Sequence, residues 1–246
     1  MLLQVLSRAA DLHYYIEPAV TEDLPPGLSV LQRAQELDGR DEAAPTLSDT
    51  VAAFMSSEHR SLVVLGDAGA GKSTFCLLQC QRQLGQGISN WLNTPVSRLP
   101  EAAALPWIPI LIELKAYKAS DLPGLLPRLL EDKYHVDAGF VAALSSQVAY
   151  RHAVRLLLLV DGYDELQQDV TAPVRDLLAM LCGGEGRLWP SWLLKCVYTT
   201  RPNRLSGRVD EAATFGPHQR CELLPFTKGQ VRRRVVAVCQ ECALGC

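Results

Sequence analysis

The sequence predicts an α/β fold, a parallel β-sheet covered by helices on both faces, and three observations carry that prediction. From Ser61 onward, short aliphatic runs of strand length alternate with segments of helical spacing. The aliphatic runs lack the polar alternation of a half-exposed sheet, as expected of strands covered on both sides. Each run is separated from the next by enough chain for a helical crossover, which parallel pairing requires. The chain has 246 residues, 48% of them hydrophobic, enough to build one large core or two small ones.

Five strands are expected, at Ser61–Leu65, Ile108–Leu114, Val154–Val160, Lys195–Thr200 and Arg220–Leu224. Helices are expected over Leu47–Ser56 with Ser48 as its cap, from Lys72 to about Leu84, and over Leu122–Tyr134, Asp137–Arg151 and Val174–Leu181. Upstream, Ser29–Leu37 has helical spacing and the following DGRDEAAPT reads as a loop. After the fifth strand, Thr227 and Gln230 stand in capping-box spacing and open another helix. This divides the chain into a lead-in over residues 1–45, a core over 46–226, and the start of a helical segment over 227–246.

Bulk properties exclude several classes. The net charge of −3 offers no field for nucleic acid or an anionic membrane. The start MLLQVLSRAADLHYY is too short in apolar residues for a secretory signal, and no run approaches the ~20 residues of a membrane span. Eight scattered cysteines without a secretory signal read as reduced thiols in a cytoplasmic protein. Cys239, Cys242 and Cys246 share a helix face rather than a ligand set, and the histidines at 13, 59, 135, 152 and 218 show no metal spacing. Trp189 and Trp192 read as buried anchors, and the arginines at 232–234 as a solvated helix face.

Three stretches carry chemistry. In VVLGDAGAGKSTF, residues Gly66, Asp67, Ala68, Gly69, Ala70, Gly71, Lys72 and Ser73 match G-x-x-x-x-G-K-[ST] at every fixed position, between a strand and a helix. Glycines allow close backbone approach to phosphate, and the helix start adds an anion-binding end. Lys72 supplies a charge for the β- and γ-phosphates, Ser73 a hard oxygen for Mg²⁺, and Thr74 lies deeper, near the α-phosphate. RLLLLVDGYDEL is a buried strand ending in acids at the carboxyl edge of the sheet, where ligands bind in open α/β folds. Asp161 suits Mg²⁺ through a water, and Glu165 suits orienting and deprotonating an attacking water, with Asp164 sharing that work or the metal. LLKCVYTTRPN ends a further strand at Arg201, a guanidinium able to contact and sense a γ-phosphate.

In this order and spacing, GDAGAGKST, LLLLVDGYDEL and VYTTRP resemble the NACHT family of signal-transduction NTPases, within the STAND class. The Asp-Gly-x-Asp-Glu form of the acidic motif is the most family-specific piece. LPFTKGQVRRRV and YYIEPAVTE are similar to segments flanking the family's core, so the resemblance covers about Thr46 to Val238. It implies a three-layer P-loop NTPase sandwich with a five-stranded parallel sheet in the order 2-3-4-1-5. It implies ATP, or less often GTP, with Mg²⁺, slow hydrolysis, and a switch between a closed state and an open oligomer. Carried over residue by residue, Lys72 and Ser73 contact phosphate and metal, Asp161 holds the metal water, Glu165 with Asp164 are the hydrolytic carboxylates, and Arg201 is the sensor. Members usually continue into helical, winged-helix and repeat segments, so this chain reads as a fragment or a truncated member.

The expected function is a nucleotide-dependent switch and oligomerisation module whose partners are nucleotide and other protein chains, with no nucleic acid and no membrane. One alternative is an interaction module that binds nucleotide without hydrolysing it. Another is a different P-loop enzyme such as a small-molecule kinase, which would want a lid and an acceptor pocket.

Overall fold

The computed structural model describes residues 16–21, 45–83, 107–132, 155–165, 194–202, 218–226 and 231–232. In chain order these hold β1 (Val20–Thr21), α1 (Leu47–Ser56), β2 (Ser61–Leu65), α2 (Lys72–Gln83), β3 (Trp107–Glu113), α3 (Leu125–Asp132), β4 (Arg155–Asp161), β5 (Leu194–Thr200) and β6 (His218–Leu223). Tight 3-10 turns occupy Leu114–Ala116, Ala119–Asp121 and Tyr163–Glu165. The helices expected at Ser29–Leu37, Asp137–Arg151 and Val174–Leu181, the segment opened by Thr227, and Trp189, Trp192 and the cysteines at 182, 239, 242 and 246 lie outside the described residues.

All the described strands join one sheet in the order β1-β6-β2-β5-β4-β3. The five long strands are parallel to their neighbours and, read from the β3 edge, follow the expected order 2-3-4-1-5. Among the described residues the sheet has six strands rather than five, because β1 adds antiparallel to β6 through Val20↔Leu223 and Thr21↔Glu222. Two residues are too few to show a period, so β1 leaves no strand signal in the sequence. It is held by its neighbours: Val20 N–H donates to Pro45 O at 2.9 Å, and Leu224 N–H donates to Ala19 O at 2.9 Å. At the other edge, β3 carries Pro109, which is tolerated because an edge strand leaves one side of its ladder unpaired.

The sheet separates two apolar layers. On one face Val51 and Phe54 of α1 and Phe75, Cys76 and Cys80 of α2 pack on Leu62, Val64, Leu157, Leu159 and Val197. On the other, Leu125, Leu126, Leu129 and Leu130 of α3 pack on Val63, Ile110, Leu158 and Cys196. Alternate residues of each strand therefore feed opposite layers, and every residue of β2 and β5 is buried. This is the helix–sheet–helix sandwich that unbroken aliphatic runs require. Among the described residues, no helix is long and apolar enough to cross a membrane.

The cap of α1 differs from expectation. Thr46, not Ser48, occupies the N-cap, and its side chain accepts from Asp49 N–H at 3.2 Å in a capping box with Asp49. The Thr46 hydroxyl in turn donates to the Asp49 carboxylate at 2.6 Å and holds its pKa below the usual carboxylate range. Ser48 lies inside the first turn, where its hydroxyl donates to Glu17 Oε1 at 2.6 Å, and Glu17 Oε2 pairs with Arg82 at 3.2 Å. That cluster ties the lead-in to the start of α1 and the end of α2.

The far end of α1 is held by Lys195 from β5. Its fully buried ammonium donates to the carbonyls of Phe54, Ser57 (2.7 Å) and His59 (3.0 Å) and lies 4.5 Å from the Phe54 ring centre. A cation suits a helix C-terminus, where unpaired carbonyls concentrate negative potential. Burial, with Arg155 nearby, pushes its pKa down to about 8. Replacing Lys195 with Met removes the ammonium from the Ser57 and His59 carbonyls, while Phe54 O keeps the Ser57 N–H and hydroxyl, so unfolding free energy in urea is expected to fall by about 2 kcal/mol. A Lys195→Met variant as stable as the parent would contradict this capping role.

Candidate functional site

The site is built where three parallel strands end together. β5 lies between β2 and β4, with Leu65 opposite Thr200 and Val160 opposite Tyr198. The residues that follow these pairs, Gly66 after β2, Asp161 at the tip of β4 and Arg201 after β5, therefore emerge at one edge. Gly66 N–H donates to Thr200 O at 3.1 Å, extending the β2–β5 ladder into the glycine turn.

The turn curls through positive φ at Gly69 (78°) and Gly71 (89°), a region L side chains rarely enter. Gly66 leaves little room for a side chain, since a Cβ there would lie 3.1 Å from Leu223 Cδ1 and 3.2 Å from Ala70 Cβ. Helix α2 then starts at Lys72, its first turn closed by Phe75 N–H on Gly71 O at 2.8 Å. Lys72 Nζ lies back along its own loop, donating to Gly66 O at 2.7 Å and Asp67 O at 2.9 Å. Burial lowers its pKa, and the charges of Asp164, Asp161 and Asp67 oppose that shift while Arg201 adds to it.

The acidic turn follows β4. Asp161 is 8% exposed, and its Oδ1 accepts from the Thr199 hydroxyl at 2.6 Å. That same hydroxyl accepts from Gly162 N–H at 3.0 Å. Gly162 takes φ 78°, and Glu165 N–H closes the turn on Gly162 O at 2.8 Å. The exposed Glu165 carboxylate folds over this glycine, and a Cβ on residue 162 would lie 3.2 Å from its Cδ and Oε2. Asp164 points elsewhere: its side chain is 6% exposed and pairs with Arg201 Nε at 2.9 Å. The Arg201 side chain is 45% exposed while Asp164 is only 6% exposed, so the guanidinium has room to turn, but leaving this pair would strand a largely buried carboxylate. Arg201 leaves this pair only for an anion strong enough to offset that loss.

Together these parts line one cavity of about 250 Å³, with Ala68, Gly69, Gly71, Lys72, Ser73 and Thr74 on the loop side and Asp161, Asp164, Glu165 and Arg201 opposite. Of the sequence-predicted residues, Gly66, Asp67 and Ala70 do not line it; Gly66 and Asp67 hold Lys72 through their carbonyls, and Ala70 N–H closes the turn on Asp67 O. Three carboxylates face two cations across this space, a balance that favours an anion arriving with its own divalent cation. Among the described residues no group of three His, Cys, Asp or Glu could hold a metal unaided. An ion here would need oxygens from the ligand, as Mg²⁺ with phosphates does, and the Ser73 hydroxyl and Asp161 carboxylate are donors of the right hardness. Beneath the site, burial and then the Asp161 charge raise the Cys76 thiol well above its ordinary value, leaving it an inert core residue. Sequence reasoning overlooked Thr199; its signal was the Thr-Thr pair before Arg201, in which only one hydroxyl can face the acidic strand.

The three-layer sandwich with a glycine turn between its central strand and the following helix is a P-loop NTPase fold. A family model for the NACHT domain matches residues 60–241, well over half of the chain, and the chain belongs to the NACHT family. It is accordingly a P-loop NTPase nucleotide-binding module. Among solved structures, the crystal structure of Cdc6p from Pyrobaculum aerophilum is similar at a TM-score of 0.41 and 12% identity. That match covers 89% of this chain and 53% of the other, so the chain spans about half the length of that protein. The comparison with curated proteins gave no match.

The two glycine sites make a paired prediction. An alanine at a positive-φ position costs about 1–2 kcal/mol in the backbone alone. Gly69→Ala meets nothing within 4 Å and should show only that term, whereas Gly162→Ala must also displace the Glu165 carboxylate. The thermal midpoint is expected to drop further for Gly162→Ala; equal drops would contradict the close contact.

Proposed function

We propose that the chain binds a nucleoside triphosphate with Mg²⁺, ATP first and GTP as the other candidate, and hydrolyses it slowly as a nucleotide-dependent switch. The observation that supports this most is the convergence of Lys72, Ser73, Asp161, Glu165 and Arg201 on one cavity from three adjacent strand ends. The loop from Gly66 to Thr74 would cradle the phosphates. Lys72 would leave its two loop carbonyls for the β- and γ-phosphate oxygens, a stronger acceptor set for an ammonium. Ser73 and Asp161 would hold Mg²⁺, Asp161 through a water, and the ion supplies charge neutralisation of the phosphate oxygens.

Glu165 is the hydrolytic carboxylate in this reading, with Asp164 beside it. Its carboxylate takes a proton from a water whose oxygen attacks the γ-phosphorus. The bond from that phosphorus to the bridging oxygen breaks, and the diphosphate leaves. Lys72 and Arg201 stabilise charge on the transferring group. Arg201 must first exchange the Asp164 carboxylate for the γ-phosphate, which couples the acidic turn to the nucleotide and supports a slow, switch-like turnover. Self-association or protein partners would read that change.

Labelled ATP with Mg²⁺ tests the reading on the full chain. Phosphate release is expected, disappearing in Lys72→Ala together with binding. In Glu165→Gln it should fall ~100-fold or more while ATP binding is retained, the scale of losing a general base. Tight ATP retention without release by the parent protein would replace hydrolysis with a binding-only module. Transfer of label to an acceptor other than water would indicate a kinase instead.

A further inference from the structure

The triphosphate reading names a metal ligand and a water-orienting acid but no partner that orients either carboxylate. The structure shows what orients them. Val160 and Tyr198 are paired in register, so the next residues, Asp161 and Thr199, face each other across the tips of β4 and β5. Thr199 is fully buried, on the α2 side of the sheet. Its hydroxyl has one proton and two lone pairs. Gly162 N–H can only donate, so it occupies a lone pair, and the hydroxyl proton is directed to Asp161 Oδ1. The two bonds are mutually enforcing, because an ionised carboxylate can only accept.

We infer that Thr199 is the positioning residue of this site: one hydroxyl orients the Asp161 carboxylate toward the metal and anchors the turn carrying Asp164 and Glu165. With Oδ1 committed to Thr199, Oδ2 is the oxygen left to serve the cavity that Asp161 lines. Gly162, held by the same hydroxyl, begins the turn that Glu165 closes. Thr199 does not line the cavity, so it acts through Asp161. Threonine suits the place better than serine on packing grounds, since its β-branch favours a strand and fills the layer beside Val197, but the function needs only the hydroxyl.

This inference rests on the proposed nucleotide binding, and the test separates the two. Affinity of the full chain for a fluorescent ATP analogue is measured in excess Mg²⁺ and again in EDTA. The ratio of the two dissociation constants isolates the metal's contribution. The phosphate loop is untouched by the substitution, so Thr199→Val should bind in EDTA as the parent does. Its gain from Mg²⁺ should shrink by about tenfold, the loss expected for one hydrogen bond to a charged group. Thr199→Ser, which restores the hydroxyl, should recover most of the gain. If Thr199→Val does not fold, Thr199→Ala against Thr199→Ser makes the same comparison. An unchanged Mg²⁺ gain in the hydroxyl-less variant, or equal losses in Mg²⁺ and EDTA, overturns the positioning role while leaving the triphosphate reading intact. A parent protein that binds the analogue in neither condition overturns both.

Discussion

The parallel register of β2, β5 and β4 is the constraint on which the site depends. Because Leu65 lies opposite Thr200 and Val160 opposite Tyr198, the three strands end within a residue of one another at the same edge. A slip of one residue would turn every side chain of a strand to the other face. Here it would carry Thr199 to the α3 side, away from Asp161, and would expose one apolar layer to the other's helices. The two core layers therefore protect the site's geometry at a distance. Val197 and Leu159 on one face and Cys196 and Leu158 on the other hold the register that lets Thr199 meet Asp161.

Within that frame the two cations are held by contacts that a stronger anion could replace. Lys72 rests on two loop carbonyls, and Arg201 on one carboxylate while half exposed to water. Asp161, by contrast, is fixed by a buried hydroxyl. Cations that can move and an acid that cannot are what a site needs if it is to respond to a phosphate while keeping a metal position constant. Such a division places rigidity on the strand ends and adaptability on long side chains.

Much of this was legible in the sequence because it rests on local patterns. The aliphatic runs, the glycine turn and the strand-terminal acids announce themselves through composition and spacing, and the five long strands follow the order that the family resemblance implied. What the sequence concealed depends on contacts between distant segments. Strand β1 is two residues long and exists only because β6 and Pro45 pair with it. Ser48 looks like a cap until Glu17 claims its hydroxyl, leaving Thr46 to start α1. Lys195 is a buried cation inside a strand, intelligible only once three carbonyls of the α1 terminus surround it. That Asp164 rather than Glu165 pairs with Arg201 is likewise invisible in the motif, because it turns on which of two neighbouring acids faces the next strand's end.

The central claim is that one triphosphate is met by the glycine loop and by the tips of β4 and β5 together. A crystal structure of the full chain with Mg²⁺ and a non-hydrolysable ATP analogue tests it most directly. The account predicts the γ-phosphate between Lys72 Nζ and the Arg201 guanidinium, with the metal on Ser73 Oγ and on the Asp161 side of the cavity. A triphosphate bound elsewhere on the molecule, or a metal with Asp161 turned away from it, would contradict the account.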